Sequence, residues 1–127
     1  MKKFDKNEKA NPDCIPTATI HKENDAYDDK KREVLECAIS SYGETAQLIM
    51  AIEEMSELTK ALCKYKRAKT PEDVFSVFDN ITEEIADVKI MLEQIEIMFG
   101  CRCAVKRWET MKINRLKKRL ESENGRK

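Results

Sequence analysis

The chain has 127 residues, with only 3 Gly and 3 Pro and with 24 basic residues set against 24 acidic ones. That length suits one domain with one core, and the helix-forming composition argues for an all-α protein and against a strand-rich one. A formal net charge of zero gives no general attraction to nucleic acid, and no apolar run approaches the ~20 residues that span a bilayer.

The charge is unevenly placed. Lys and Arg against Asp and Glu give −1 over residues 1–43, −6 over 44–99 and +7 over 102–127. An acidic middle and a basic end can attract each other, or serve a substrate that needs both a cation site and cationic contacts. The cysteines, Cys14, Cys37, Cys63, Cys101 and Cys103, are odd in number and follow an opening too polar for a secretory leader. They are expected to be reduced thiols in a cytoplasmic protein. "CRC" at 101–103 has no second Cys/His pair beside it, so it reads as small residues at a helix start.

Residues 1–27 are polar, contain Pro12 and Pro16 and show no helical period, which predicts a loose tail before a single domain over 28–122. A first helix is expected over about 28–42, with Val34, Leu35, Ala38 and Ile39 inward and Tyr42-Gly43 ending it. A second covers 44–68, where Leu48, Ile52, Met55, Leu58, Leu62 and Tyr65 recur in steps of three and four. "TPED" at 70–73 is a helix start, with Thr70 as cap and Pro71 first. Residues 71–99 read as one helix or as two: Asn80 followed by Glu83 has cap spacing, which would divide them into a short helix over 71–78 and a long one over 81–99. The long one carries the stripe Ile81, Ile85, Val88, Leu92, Ile95 and Phe99, and Gly100 stops it. The last helix spans about 103–121 with Val105, Trp108, Met111, Leu116 and Leu120 inward, and residues 123–127 fray. Short loops between such helices predict an antiparallel four-helix-type bundle.

One pattern occurs twice. "AIEEMSEL" at 51–58 and "ITEEIADV" at 81–88 share an acid-acid-apolar-small-acid-apolar order. Their midpoint falls at the Thr70-Pro71 turn, so folding the chain there sets them side by side at one height. Glu54 and Glu57 lie three residues apart on one face, as do Glu84 and Asp87. Four converging carboxylates repel one another, and a divalent cation relieves that repulsion. An all-oxygen set favours Mg²⁺ or Mn²⁺. The only histidine is His21, in the tail, which speaks against a di-iron bundle with Glu-x-x-His motifs. The plain alternative is a solvated acidic face.

"EEMSE" followed by "EEIAD" resembles the E-E-x-x-E … E-x-x-D signature of the MazG-like, all-α nucleoside triphosphate pyrophosphohydrolases. The resemblance covers about residues 34–119. It implies Mg²⁺-dependent hydrolysis of a nucleoside triphosphate to the monophosphate and pyrophosphate, in a house-cleaning role, by a cytoplasmic homodimer or homotetramer with one to three metal ions. It implies Glu54, Glu57, Glu84 and Asp87 as metal ligands, with Glu53 orienting water beside Glu54 and Glu57 in the catalytic group. The family's final helix carries Lys-x-x-x-Asn-x-x-Arg for the phosphates. Here Asn114 matches, while Thr110 and Lys117 stand in the Lys and Arg positions. Lys112, Arg115 or Lys118 are the candidate substitutes from neighbouring positions, Lys117 remains a phosphate candidate in the Arg position, and Lys60 and Lys64 beyond Glu57 are further cations. Tyr42, Tyr65 and Trp108 are the candidates for stacking on a base. The competing reading is a helical interaction module that binds metal or nucleotide without turnover. Neither a membrane nor a nucleic-acid partner is expected.

Overall fold

The computed structural model describes residues 22–126, with side chains from Tyr27 onward. Most of the expected tail, with Cys14 and His21, lies outside the described residues. The described chain is all-α, with helices α1 (Lys22–Tyr42), α2 (Glu44–Arg67), α3 (Pro71–Phe99) and α4 (Arg102–Asn124) and no strand.

Helix α1 starts at Lys22, not near residue 28. Gly43 ends α1 with φ 90°, a conformation that carries no penalty only for glycine. Its amide donates to the Ile39 carbonyl at 2.9 Å, and α2 follows at once.

The turn between α2 and α3 is the one the sequence marks. The Asp73 amide donates to Thr70 Oγ1 at 3.1 Å, and the Thr70 amide to Asp73 Oδ2 at 3.3 Å, closing a reciprocal cap around Pro71. From there α3 runs unbroken for 29 residues, so of the two readings of 71–99 the single helix holds. The Asn80 side chain does not cap. Its Nδ2 donates to Glu84 Oε1 at 3.0 Å, one turn on. Gly100, at φ 58°, then ends α3. The Cys101 amide reaches back to the Glu96 carbonyl and that of Gly100 to Ile97, which satisfies the last carbonyls.

Helices α2 and α3 form an antiparallel hairpin with the most extensive contact in the molecule, and α1 leans on both. Gln47, Ala51 and Ala61 of α2 and Met91 and Gln94 of α3 are buried, as is Leu35 of α1. The Gln47 amide donates from Nε2 to Gln94 Oε1 at 2.7 Å, and Gln94 Nε2 points at Met91 Sδ. The apolar stripes expected to face inward lie elsewhere. Ile52, Met55, Leu62, Tyr65, Ile85, Leu92 and Phe99 are exposed, and Leu48, Leu58, Ile81, Val88 and Ile95 are half-buried. Two helices approach closely only where the facing residues are small or pliable. The contact row therefore holds Ala51, Ala61 and the glutamines, and the bulky row lies beside it.

Helix α4 departs further from expectation. Among the described helices it contacts only α3, and no residue in it is buried. Trp108, Met111, Leu116 and Leu120 are exposed instead of inward. The described residues thus make a hairpin braced by α1, with α4 set against α3 alone. Cys37, Cys63 and Cys101 are free thiols, whereas Cys103 is disulfide-bonded, a departure from five reduced cysteines. Among the described residues no helix is long and apolar enough to cross a membrane.

Candidate metal centre

The hairpin register places the two acidic motifs against each other. Glu54 follows Gln47 by two turns on α2, and Asp87 precedes Gln94 by two turns on α3. The glutamine pair therefore puts Glu54 level with Asp87, and Glu84 joins them from one turn away. Each of the three carboxylates offers an oxygen within 4.8 Å of the others, and all three residues are half-buried. Asn80 holds one Glu84 oxygen from behind. Sequence reasoning missed Asn80 as part of this site. Its i,i+4 spacing to Glu84 was the available signal, obscured by its equal fitness as a cap.

Glu57, the fourth expected ligand, is not in that group. It is exposed, and Lys60 Nζ donates to its Oε1 at 2.6 Å from one turn on. Holding Glu57 raises the Lys60 pKa above the usual lysine value, mainly through that hydrogen bond. Glu53 and Glu83 are exposed, each one residue before a member of the triad.

The electrostatics centre on Glu54. Its pKa is raised above 4.5, first by partial loss of solvent and then by Asp87, Glu84, Glu53 and Glu57 in that order. A carboxylate pushed up by its neighbours is one that a cation would relieve.

The remaining candidates do not gather here. Lys64 is exposed on α2. Lys112, Asn114, Arg115 and Lys117 are exposed along α4, and Lys117 lies 3.9 Å from Glu121 of its own helix. None has a described hydrogen bond or ion pair with the carboxylate triad. Tyr42, Tyr65 and Trp108 are exposed on three different helices. An open groove of about 610 Å³ lies between α1, the end of α3 and the start of α4, but contains neither the triad nor those aromatics. It is lined by charges of both signs, including Lys31 and Glu93, which pair at 2.5 Å.

Three carboxylates on two rigid helices, one of them destabilised as an anion, form a donor set compatible with a hard divalent ion. No protein-family model, characterised protein or solved structure matches the chain.

Proposed function

We propose that the protein is a Mg²⁺-dependent nucleoside triphosphate pyrophosphohydrolase of the MazG-like kind, splitting a ribo- or deoxyribonucleoside triphosphate into monophosphate and pyrophosphate. The observation that carries this reading is the meeting of Glu54 with Glu84 and Asp87, drawn from two copies of one acidic motif on antiparallel helices. Mg²⁺, or Mn²⁺ in its place, would be held by Glu54, Glu84 and Asp87, with Glu57 in reach of the same face. When bound, it neutralises the triphosphate and the charge that develops as the α–β anhydride breaks.

The chain's own groups do the rest. Glu53, exposed beside Glu54 and outside the triad, accepts the proton of the attacking water. Lys60 and Lys64 supply positive charge along the approach to the triad, which by itself repels a polyanion. The basic residues Lys112, Arg115 and Lys117, with Asn114, contact phosphates. The assembly is a homodimer or homotetramer acting in the cytoplasm on the nucleotide pool.

A second reading is favoured by one observation: in a single chain the α4 residues stand away from the triad. A module that binds metal or nucleotide without turnover needs no such contacts. Pyrophosphate release from a panel of nucleoside triphosphates with Mg²⁺ separates the two, measured beside Asp87→Asn. The expected result is monophosphate plus pyrophosphate, at least ~100-fold slower in the variant, because loss of a ligand should exceed the 10–100-fold typical of its supporting residues. Orthophosphate as product would exclude the proposed bond. Absence of product with Mg²⁺ still bound would establish the module.

A further inference from the structure

We propose that Lys60 is a positioning residue that acts through Glu57: it holds that carboxylate outside the triad until a phosphate oxygen of the substrate takes its ammonium, and the released Glu57 then completes the metal site. The inference deepens the reaction proposed above and rests on its metal site.

The carboxylate set is one member short, and a cation accounts for the missing one. Glu54, Glu84 and Asp87 each offer an oxygen within 4.8 Å of the others. Glu57 stands three residues after Glu54 on α2, a spacing that makes side chains neighbours along a helix. It stays out of the group nonetheless, with Oε1 accepting from Lys60 Nζ at 2.6 Å. Both members of the pair are within electrostatic range of the triad. After partial loss of solvent and the charges of Asp87, Glu84 and Glu53, Glu57 too raises the Glu54 pKa. The Lys60 pKa is raised first by its hydrogen bond to Glu57 and, further down, by the charge of Glu84.

Each charge has a reason to change partners. Without a cation, a fourth carboxylate beside the other three adds repulsion, and Glu57 is better placed against an ammonium. A bound Mg²⁺ reverses that preference, since it demands octahedral oxygen coordination and a carboxylate nearby can replace one of its waters. The Lys60 and Glu57 side chains are 63% and 50% exposed, and an ion pair that open to water is weak. A phosphate oxygen, more highly charged than a carboxylate, can therefore displace Glu57 from it. Lysine suits the exchange. Its ammonium is a compact charge with three donors on a flexible stem, so it turns from one acceptor to another without needing a fixed fork geometry. The site thus gains its last ligand when substrate arrives.

The test is calorimetric titration of the full chain with Mg²⁺, comparing wild type, Lys60→Met, Glu57→Gln and the double variant. The gain from Lys60→Met in the Glu57→Gln background measures loss of the lysine charge alone. In the wild-type background the gain should be larger by about two- to fivefold, the range that opening an exposed pair spans. Lys60→Arg, which keeps the charge and a donor, should bind Mg²⁺ as the wild type does. Millimolar inorganic phosphate should tighten Mg²⁺ binding in the wild type and erase its difference from Lys60→Met. Equal gains from Lys60→Met with and without Glu57 would overturn the proposal and leave the metal site standing. So would a phosphate effect of the same size in wild type and Lys60→Met. Absence of Mg²⁺ binding in the wild type and every variant would overturn the metal site and this proposal with it.

Discussion

Helices α2 and α3 on one hand and α4 on the other all exceed twenty residues and all carry large apolar side chains, more densely on α3 than on α4, yet the chain uses them differently. The hairpin buries a narrow row of Ala, Gln and Met and carries its bulky residues beside it. Helix α4 buries none of its residues and, among the described helices, contacts only α3. An apolar stripe states that a face needs a partner. It does not state which partner, and the contact row can be written in quite different residues. In the hairpin that row is also where carboxylates meet, so chemistry and packing share the same seam.

The sharpest test of that difference is the metal response. Mg²⁺ binding only the folded state should stabilise the protein by about 2.7 kcal/mol at a hundredfold excess over Kd, read as a rise in Tm. Asp87→Asn should remove the response, whereas Glu57→Gln, outside the triad, should retain part of it. A Tm insensitive to tens of millimolar Mg²⁺ would detach the hairpin seam from any role in cation binding.

The same row should dominate stability without metal. Gln94→Leu leaves the buried Gln47 amide without its acceptor, at a cost of about 1–3 kcal/mol by urea denaturation. The double replacement Gln47→Leu, Gln94→Leu should recover most of it, because no polar group is then orphaned. If single and double variants lose equally, the pair contributes through shape alone.

A smaller effect concerns pH. Glu54 binds its proton more tightly when folded, since its pKa is raised above 4.5. Below 4.5 both states are protonated and it contributes nothing. As pH rises through that value the unfolded chain ionises first and stability falls, until the folded state ionises too and the loss becomes constant. Metal-free Glu54→Gln should therefore match the wild type near about pH 4 and exceed it near about pH 7. With Mg²⁺ the order at neutral pH should reverse. An advantage that persists at low pH would point to packing instead of charge.

The least effect belongs to α4. Ile113→Glu is a surface change in a helix without buried residues and should stay within about ±0.5 kcal/mol. A larger loss would show that α4 packs on something outside the described helices.

Much of this was legible in the sequence. Gly43, Gly100 and the Thr70-Pro71 cap fix helix ends by local chemistry, and all three act where the residues imply. The relation of Glu54 to Glu84 and Asp87 followed from symmetry about that cap. What escaped was non-local. Asn80 has the makings of a cap, but α3 gains more by continuing, since Ile81 onward keeps its hydrogen bonds and its period. The facing row was hidden because Ala and Gln carry a weak hydrophobic signal, so the stronger stripe one residue away was read in its place. The phosphate candidates on α4 depend on where that helix lies relative to the triad, which no spacing within the chain encodes.

The buried bond between Gln47 and Gln94 has a consequence beyond its own energy. Helices that face each other through alanine and methionine can slide, because one apolar turn fits nearly as well as the next. A slip of one turn would carry Glu54 about 5 Å past Asp87 and dissolve the triad, yet would alter the apolar contacts little. The amide pair forbids that slip, since two glutamines moved out of alignment would each be left dry and unbonded. Two turns from the carboxylates, it acts as the index mark by which the hairpin measures off their meeting point.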